Sequence, residues 1–141
     1  MSDSNYEGVV KFIDWIGRKT RLHFAARQTS DFQEHELWWA SFGENIGTEM
    51  NGKNTLFERP VVIVKKYSNE MMLAVPCTTK NKNGSWFFPF HFEGREVRAV
   101  LAQVRTISSR RLLRKMGYMD IQEFRMMKNA LIELIKTDPS A

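Results

Sequence analysis

Only one cysteine, Cys77, occurs in the 141 residues, so the chain can form no internal disulfide. No Cys/His cluster suggests a zinc site, and no Asp/Glu/His group has ligand-like spacing, so neither metal nor cofactor is expected. No uninterrupted apolar stretch approaches the roughly 20 residues that span a bilayer, and no membrane partner is expected. The opening Met1-Ser2-Asp3-Ser4-Asn5 lacks the basic start and apolar centre of a secretion signal. A reducing, cytoplasmic setting fits these absences. Internal repeats and low-complexity tracts are missing as well.

What is present suits one domain with a real core: the chain is 43% hydrophobic and too short for two comfortable domains. The net charge of +5 is unevenly placed. Basic and acidic side chains balance over residues 1–94, and the whole excess follows, from Arg95 and Arg98 to Lys128 and Lys136. Such a basic end can attract the phosphate backbone of RNA or an acidic protein; it can equally be a solvated helix face.

Val9, Val10, Phe12, Ile13, Trp15 and Ile16 form an apolar stripe at helical spacing, with Lys11, Asp14, Arg18 and Lys19 turned away. The expected division is a helical extension over residues 1–35, packed on the domain, and the domain itself over residues 36–141. Gln28–Glu34 reads as a polar connection. From Glu36 the texture becomes β. Strands are expected near Val61–Lys66, Met71–Cys77, Trp86–Phe92 and Val97–Ala102. Pro60 suits the first residue of its strand. The Gly- and Asn-rich segment Gly43–Glu58 reads as a long mobile loop, and Lys80–Gly84 as a turn. Ser108 or Ser109 can cap a short helix through Lys115, with Gly117 ending it. Asp120 and Glu123 form a capping box for a last helix, whose apolar face is Ile121, Phe124, Met127, Leu131 and Leu134. The class is therefore α+β: a small, SH3-like, curled antiparallel β-barrel with a C-terminal helix and an N-terminal helical extension.

Two polar islands lie at the ends of the β-rich runs. Gly47-Thr48-Glu49 leads to Arg59-Pro60 just before Val61–Val64, and Pro76-Cys77-Thr78-Thr79-Lys80 follows Met72–Val75. Meeting at one end of a sheet, they set a fixed positive charge beside hydroxyls, a combination suited to gripping a phosphodiester. Taken singly, each residue reads as an ordinary surface arginine or loop threonine. Order and spacing make the set more specific. Glu36–Gly43, Gly47–Glu49, Arg59–Val62, Val75–Lys80 and Leu101–Thr106, followed by Arg111-Leu112-Leu113 and a terminal helix, resemble the MazF/PemK family of toxin endoribonucleases over about residues 36 to 136.

The resemblance implies metal-independent cleavage of single-stranded RNA (mRNA), with catalysis carried by the arginine and threonine at the positions of Arg59 and Thr78. It also implies a homodimer and a cognate antitoxin protein. The chemistry is consistent: the 2′-hydroxyl of RNA can attack its own phosphorus while a guanidinium and a hydroxyl steady the phosphate. The base stays open, because arginine is a poor one unless strongly perturbed; Glu49 is the carboxylate candidate, with a loop salt bridge as its ordinary role. Thr79, Lys80, Lys82 and Trp86 are candidate RNA contacts, as are Gln103 and Arg105, although Gln103 can simply satisfy buried backbone groups. His23, His35 and His91 lie outside the polar islands, which speaks against a two-histidine ribonuclease. Cys77 lacks an evident histidine partner and reads as a buried structural thiol. Two other classes compete: a non-catalytic barrel that binds nucleic acid or protein, and an adaptor that docks through its N-terminal helix.

Overall fold

A computed structural model describes residues 2–26 and 31–138 of the chain. Helix α1 (Asp3–Phe24) is followed by strands β1 (Glu36–Ser41), β2 (Glu58–Lys66), β3 (Met71–Thr78), β4 (Phe87–Phe92), β5 (Arg95–Val100), β6 (Arg105–Ser108) and β7 (Leu112–Tyr118), and the chain ends in helix α2 (Ile121–Lys136). No helix among the described residues is long and apolar enough to cross a membrane.

The strands run in the order β4-β5-β3-β2-β1-β7, with β6 also on β3, and every pairing is antiparallel. The curled antiparallel architecture is as expected, but β4 and β7 end the path without meeting, so the barrel is not closed. Side chains of β2 alternate between two cores, which is why its Val-Val-Ile-Val run has no polar face. Val61 and Ile63 pack with Phe32, Trp38, Phe42, Met72 and Ile107 on one side. Val62 and Val64 pack with Val75, Cys77 and Phe90 on the other, beneath Phe124, Met127 and Leu131 of α2. Burying each such α2 side chain contributes about 1.5–3 kcal/mol. Asp120 caps α2 by accepting from the Gln122 and Glu123 backbone N–H groups. Glu123 does not complete the box; its carboxylate accepts from the His91 backbone N–H on β4 and so ties the helix to the sheet.

Two expectations are corrected. Residues 108–115 do not form a helix: Ser108 caps only a single 3-10 turn at Ser109–Arg111, after which the chain enters β7. Tertiary pairing overrides local propensity here. Strand β1 needs a second neighbour, and the charges that suggest a solvated helix face are engaged by acids of the sheet, Arg114 by Glu58 and Lys115 by Glu36. The helix α1 is as expected, but its apolar residues do not share one face: Trp15 lies opposite the others, and it is those others that do not pack on the domain. Trp15 is the buried residue of α1, whereas Val9, Val10, Phe12, Ile13 and Ile16 are exposed.

Trp15 is held by Gly43, Phe57 and Arg111. Its indole lies so close to Gly43 that a Cβ there would come within 2.5 Å of the ring. Phe57 packs at 5.4 Å between ring centroids, and the Arg111 guanidinium lies over the indole at 5.7 Å. The Gly43–Glu58 connection, expected as a mobile loop, is laced by hydrogen bonds. Gly43 and Phe42 donate to the Phe57 carbonyl, and Asn45 donates to the Phe42 and Met50 carbonyls. The polar connection expected at Gln28–Glu34 lies outside the described residues at 28–30; just beyond, Phe32 is fully buried.

Phe124→Ala removes the ring that joins α2 to the sheet and to His35. It should destabilise the protein by about 3–5 kcal/mol in urea unfolding. A loss under 1 kcal/mol contradicts this account of the core.

Candidate active site

Strand register brings the two polar islands together. Val61 pairs with Pro76, which carries Arg59 and Thr78 to the same end of the β2–β3 ladder. There they line a cleft of about 390 Å³ with Thr79, Lys53, Glu58 and Arg95, over an apolar floor that includes Leu37, Trp39 and Met116.

Arg59 is half-buried and anchored from behind. Its Nε donates to the Asn51 carbonyl at 2.5 Å and its Nη1 to the Cys77 carbonyl at 3.1 Å. A guanidinium has five N–H donors, so the anchoring leaves donors over for an anion. Burial lowers its pKa from the ordinary value, which starts so high that the group remains a cation at neutral pH. The Thr78 hydroxyl accepts from the Lys80 backbone N–H at 3.2 Å. An acceptor hydroxyl keeps its own proton, which it can donate.

Glu58 precedes Arg59 in the chain and lines the same cleft, so it is the acid best placed to neutralise Arg59. It does not, because Arg114 takes both its oxygens. Arg114 Nη1 donates to Oε2 at 2.8 Å and Nη2 to Oε1 at 3.2 Å, while Asn54 adds a third bond at 2.9 Å. The bond from Arg114 foremost, with Asn54, outweighs burial and holds the Glu58 carboxyl below the usual carboxylate range. Arg114 also lies over the Trp39 ring at 5.0 Å. The neighbouring buried acid, Glu36, is treated alike: burial alone would raise its pKa, but Lys115, Trp38 Nε1–H and the Gln33 N–H together lower it. Glu93, the second acid that lines the cleft, is exposed on the turn between β4 and β5, so the cleft keeps cationic donors whose charge Glu58 does not consume.

The other sequence candidates are placed as follows. Glu49 lies outside the cleft; its carboxylate accepts from the Ile46 N–H at 3.0 Å. With Gln103 and Arg105 it lines a second depression of about 290 Å³. Gln103 ties down the β1–β2 connection, accepting from Met50 N–H and donating to the Thr48 carbonyl. Arg105 lies over the Phe42 ring. Lys80, Lys82 and Trp86 are exposed on the segment joining β3 to β4. None of the histidines lines the cleft: His23 is exposed on α1, His91 is exposed on β4, and His35 packs on Tyr118 and Phe124. Burial raises the Cys77 thiol to about 12, which makes it a poor nucleophile. Among the described residues no group of three His, Cys, Asp or Glu side chains could hold a metal ion. The sequence reading did not place Lys53, Asn54, Glu58 and Arg95 here. The one available signal was an acid directly before Arg59.

A match to the family described as "PemK-like, MazF-like toxin of type II toxin-antitoxin system" spans residues 33–135, most of the chain. The chain belongs to this toxin family. The matched span contains both islands and α2 up to Ile135, and excludes α1. Solved structures agree on the fold. MazF from Deinococcus radiodurans superposes with a TM-score of 0.59 at 17% identity, covering 79% of this chain and 100% of that one. The Mycobacterium tuberculosis toxin MazF-mt6 gives 0.55 at 15% identity, covering 73% and 98%. An endoribonuclease in complex with its cognate antitoxin, from a mycobacterial species, gives 0.57 at 12% identity, covering 77% and 98%. No curated protein matches.

Because the Glu58 pKa is depressed in the folded state, its contribution is present at neutral pH and is lost as pH falls below the ordinary carboxylate range. Glu58→Gln should cost about 1 kcal/mol at pH 7, a modest value because Arg114 is half in solvent. The gap between wild type and variant in urea unfolding should close towards pH 3. A gap that stays constant from pH 7 to pH 3 contradicts the pairing.

Proposed function

We propose that this member of the toxin family cuts single-stranded RNA, mRNA in the cell, as a metal-independent endoribonuclease. The observation that carries the proposal is the shared cleft of Arg59 and Thr78, with Glu58 held by Arg114 instead of by Arg59. In the proposed reaction the 2′-oxygen attacks the adjacent phosphorus and gives up its proton, the P–O5′ bond breaks, and the 5′-oxygen leaves and takes up a proton, giving a 2′,3′-cyclic phosphate and a 5′-hydroxyl. The remaining N–H donors of Arg59 hold the non-bridging oxygens as charge builds on them, and the Thr78 hydroxyl donates to the same phosphate. The internal nucleophile needs no activated water. Glu49 can act as base only if the β1–β2 connection swings it away from Ile46; in the observed arrangement it shapes that connection.

Thr79 lines the cleft, and Lys80, Lys82 and Trp86 lie along the exposed segment that leaves it, so they fit contacts to nucleotides flanking the cut. Gln103 and Arg105 extend the proposed RNA path across the second depression. A homodimer and a cognate antitoxin belong to the same proposal. Similar solved structures include the mycobacterial endoribonuclease in complex with its cognate antitoxin and MazE–MazF from Deinococcus radiodurans. An acidic antitoxin segment covering the cleft can use the cationic donors that would otherwise hold RNA.

Purified protein should cleave single-stranded RNA in excess EDTA and leave a 2′,3′-cyclic phosphate. A 2′-deoxy residue at the cut should block the reaction. Arg59→Ala should lower the rate roughly a hundredfold, about 3 kcal/mol in the barrier, with the fold intact by circular dichroism. Dependence on added magnesium, or normal cutting of the deoxy substrate, overturns the mechanism. RNA binding without cleavage favours a non-catalytic binding barrel.

A further inference from the structure

Helix α1 docks on the domain with one face and shows its hydrophobic stripe on the other. At roughly 100° per residue, Tyr6, Val9, Val10, Ile13, Ile16 and Phe24 fall within an arc of about 120°. The middle of that arc lies roughly 160° from Trp15, the side chain that anchors the helix. Exposure agrees: Ile13 is 60%, Ile16 63% and Tyr6 65% accessible, against 6% for Trp15. A contiguous apolar stripe about three turns long over Tyr6–Ile16, left in water while its opposite side holds the helix in place, marks a contact surface. The stripe borders an open groove between α1 and the β1–β2 connection, lined by Ile13, Gly17 and Arg21 facing Glu44, Lys53 and Phe57.

The charges name the occupant. Acidic Asp3 and Glu7 begin the helix, Asp14 stands at its middle and Arg21 ends it, all along one flank of the stripe, with Asp14 and Arg21 both in the groove. A second α1 laid antiparallel, with Ile13 near its own copy at the midpoint, sets Arg21 of each helix beside Asp3 and Glu7 of the other. It also places Tyr6 opposite Thr20. A parallel two-fold arrangement puts this flank of the two helices on opposite sides of the seam and forms neither Arg21–Asp3 nor Arg21–Glu7 pairs. We propose that α1 is a self-association element, through which two copies of this chain pair antiparallel about a two-fold axis. This contact is separate from any dimer formed through the toxin domain, because residues 3–24 lie outside the family match. It does not depend on RNA cleavage. Lys53 and Asn54 line both the groove and the cleft, so the paired helix lies alongside the candidate active site.

The test uses the full chain. Light scattering over a concentration series should give the wild type twice the mass of an Ile13→Glu/Ile16→Glu variant if that variant is a monomer, and at least twice if it keeps a dimer through the toxin domain, with helical circular dichroism retained in both. Cys77 is fully buried, so introduced cysteines can be read cleanly. Ile13→Cys should cross-link to itself on mild oxidation. Tyr6→Cys should not cross-link alone but should do so when mixed with Thr20→Cys. Equal masses overturn the proposal, including the case in which α1 becomes protected only when an antitoxin is added. Efficient self-linking of Tyr6→Cys overturns the antiparallel arrangement.

Discussion

Strand β3 must serve three neighbours, and the rest of the molecule follows from how it does so. Along one edge it pairs with β2 for most of its length. Along the other, Met71–Ala74 pair with β6 and Cys77–Thr78 with β5. Val75 and Pro76, at the changeover, pair with neither of those two strands. A proline has no N–H to give, so it sits where a missing ladder bond costs least. The changeover turns the sheet over, separates its two cores, and leaves Thr78 at the end of the strand beside Arg59.

The cleft at that end depends on a division of labour among charges. Two acids are buried in β1 and β2, and each needs a cation to be stable there. Strand β7 supplies both, Arg114 to Glu58 and Lys115 to Glu36. Were Glu58 free, it would compete for Arg59. Clamped by Arg114 and Asn54, it leaves Arg59 bonded only to backbone carbonyls, with donors to spare. Strand β7 is therefore both a sheet edge and the reason the cleft stays cationic.

Much of this was legible in the sequence where a local pattern and its tertiary use coincide. The Val61–Val64 run, the Met71–Thr78 strand and the Asp120-capped helix are of that kind, and so is the convergence of Arg59 with Thr78. Legibility failed where long-range partners decide. Arg110–Lys115 carries helix-like composition between a serine cap and Gly117, and nothing local reveals that buried Glu36 and Glu58 await its charges. The α1 stripe predicts a helix, but periodicity does not say which face meets the domain; one tryptophan on the opposite face settled it. Glu49 belonged to the right motif, yet its carboxylate closes its own turn. Lys53 reaches the cleft from the β1–β2 connection and Arg95 from the first residue of β5, positions that only the folded sheet brings together.

The central claim is that Arg59 and Thr78 act on one phosphate. A double-mutant cycle measures this directly, using single-turnover cleavage of an RNA with one scissile site. Groups that work as a unit are strongly non-additive, so Arg59→Ala with Thr78→Ala should be little slower than the worse single variant. Losses that multiply fully, or a Thr78→Ala enzyme as fast as wild type, would contradict it.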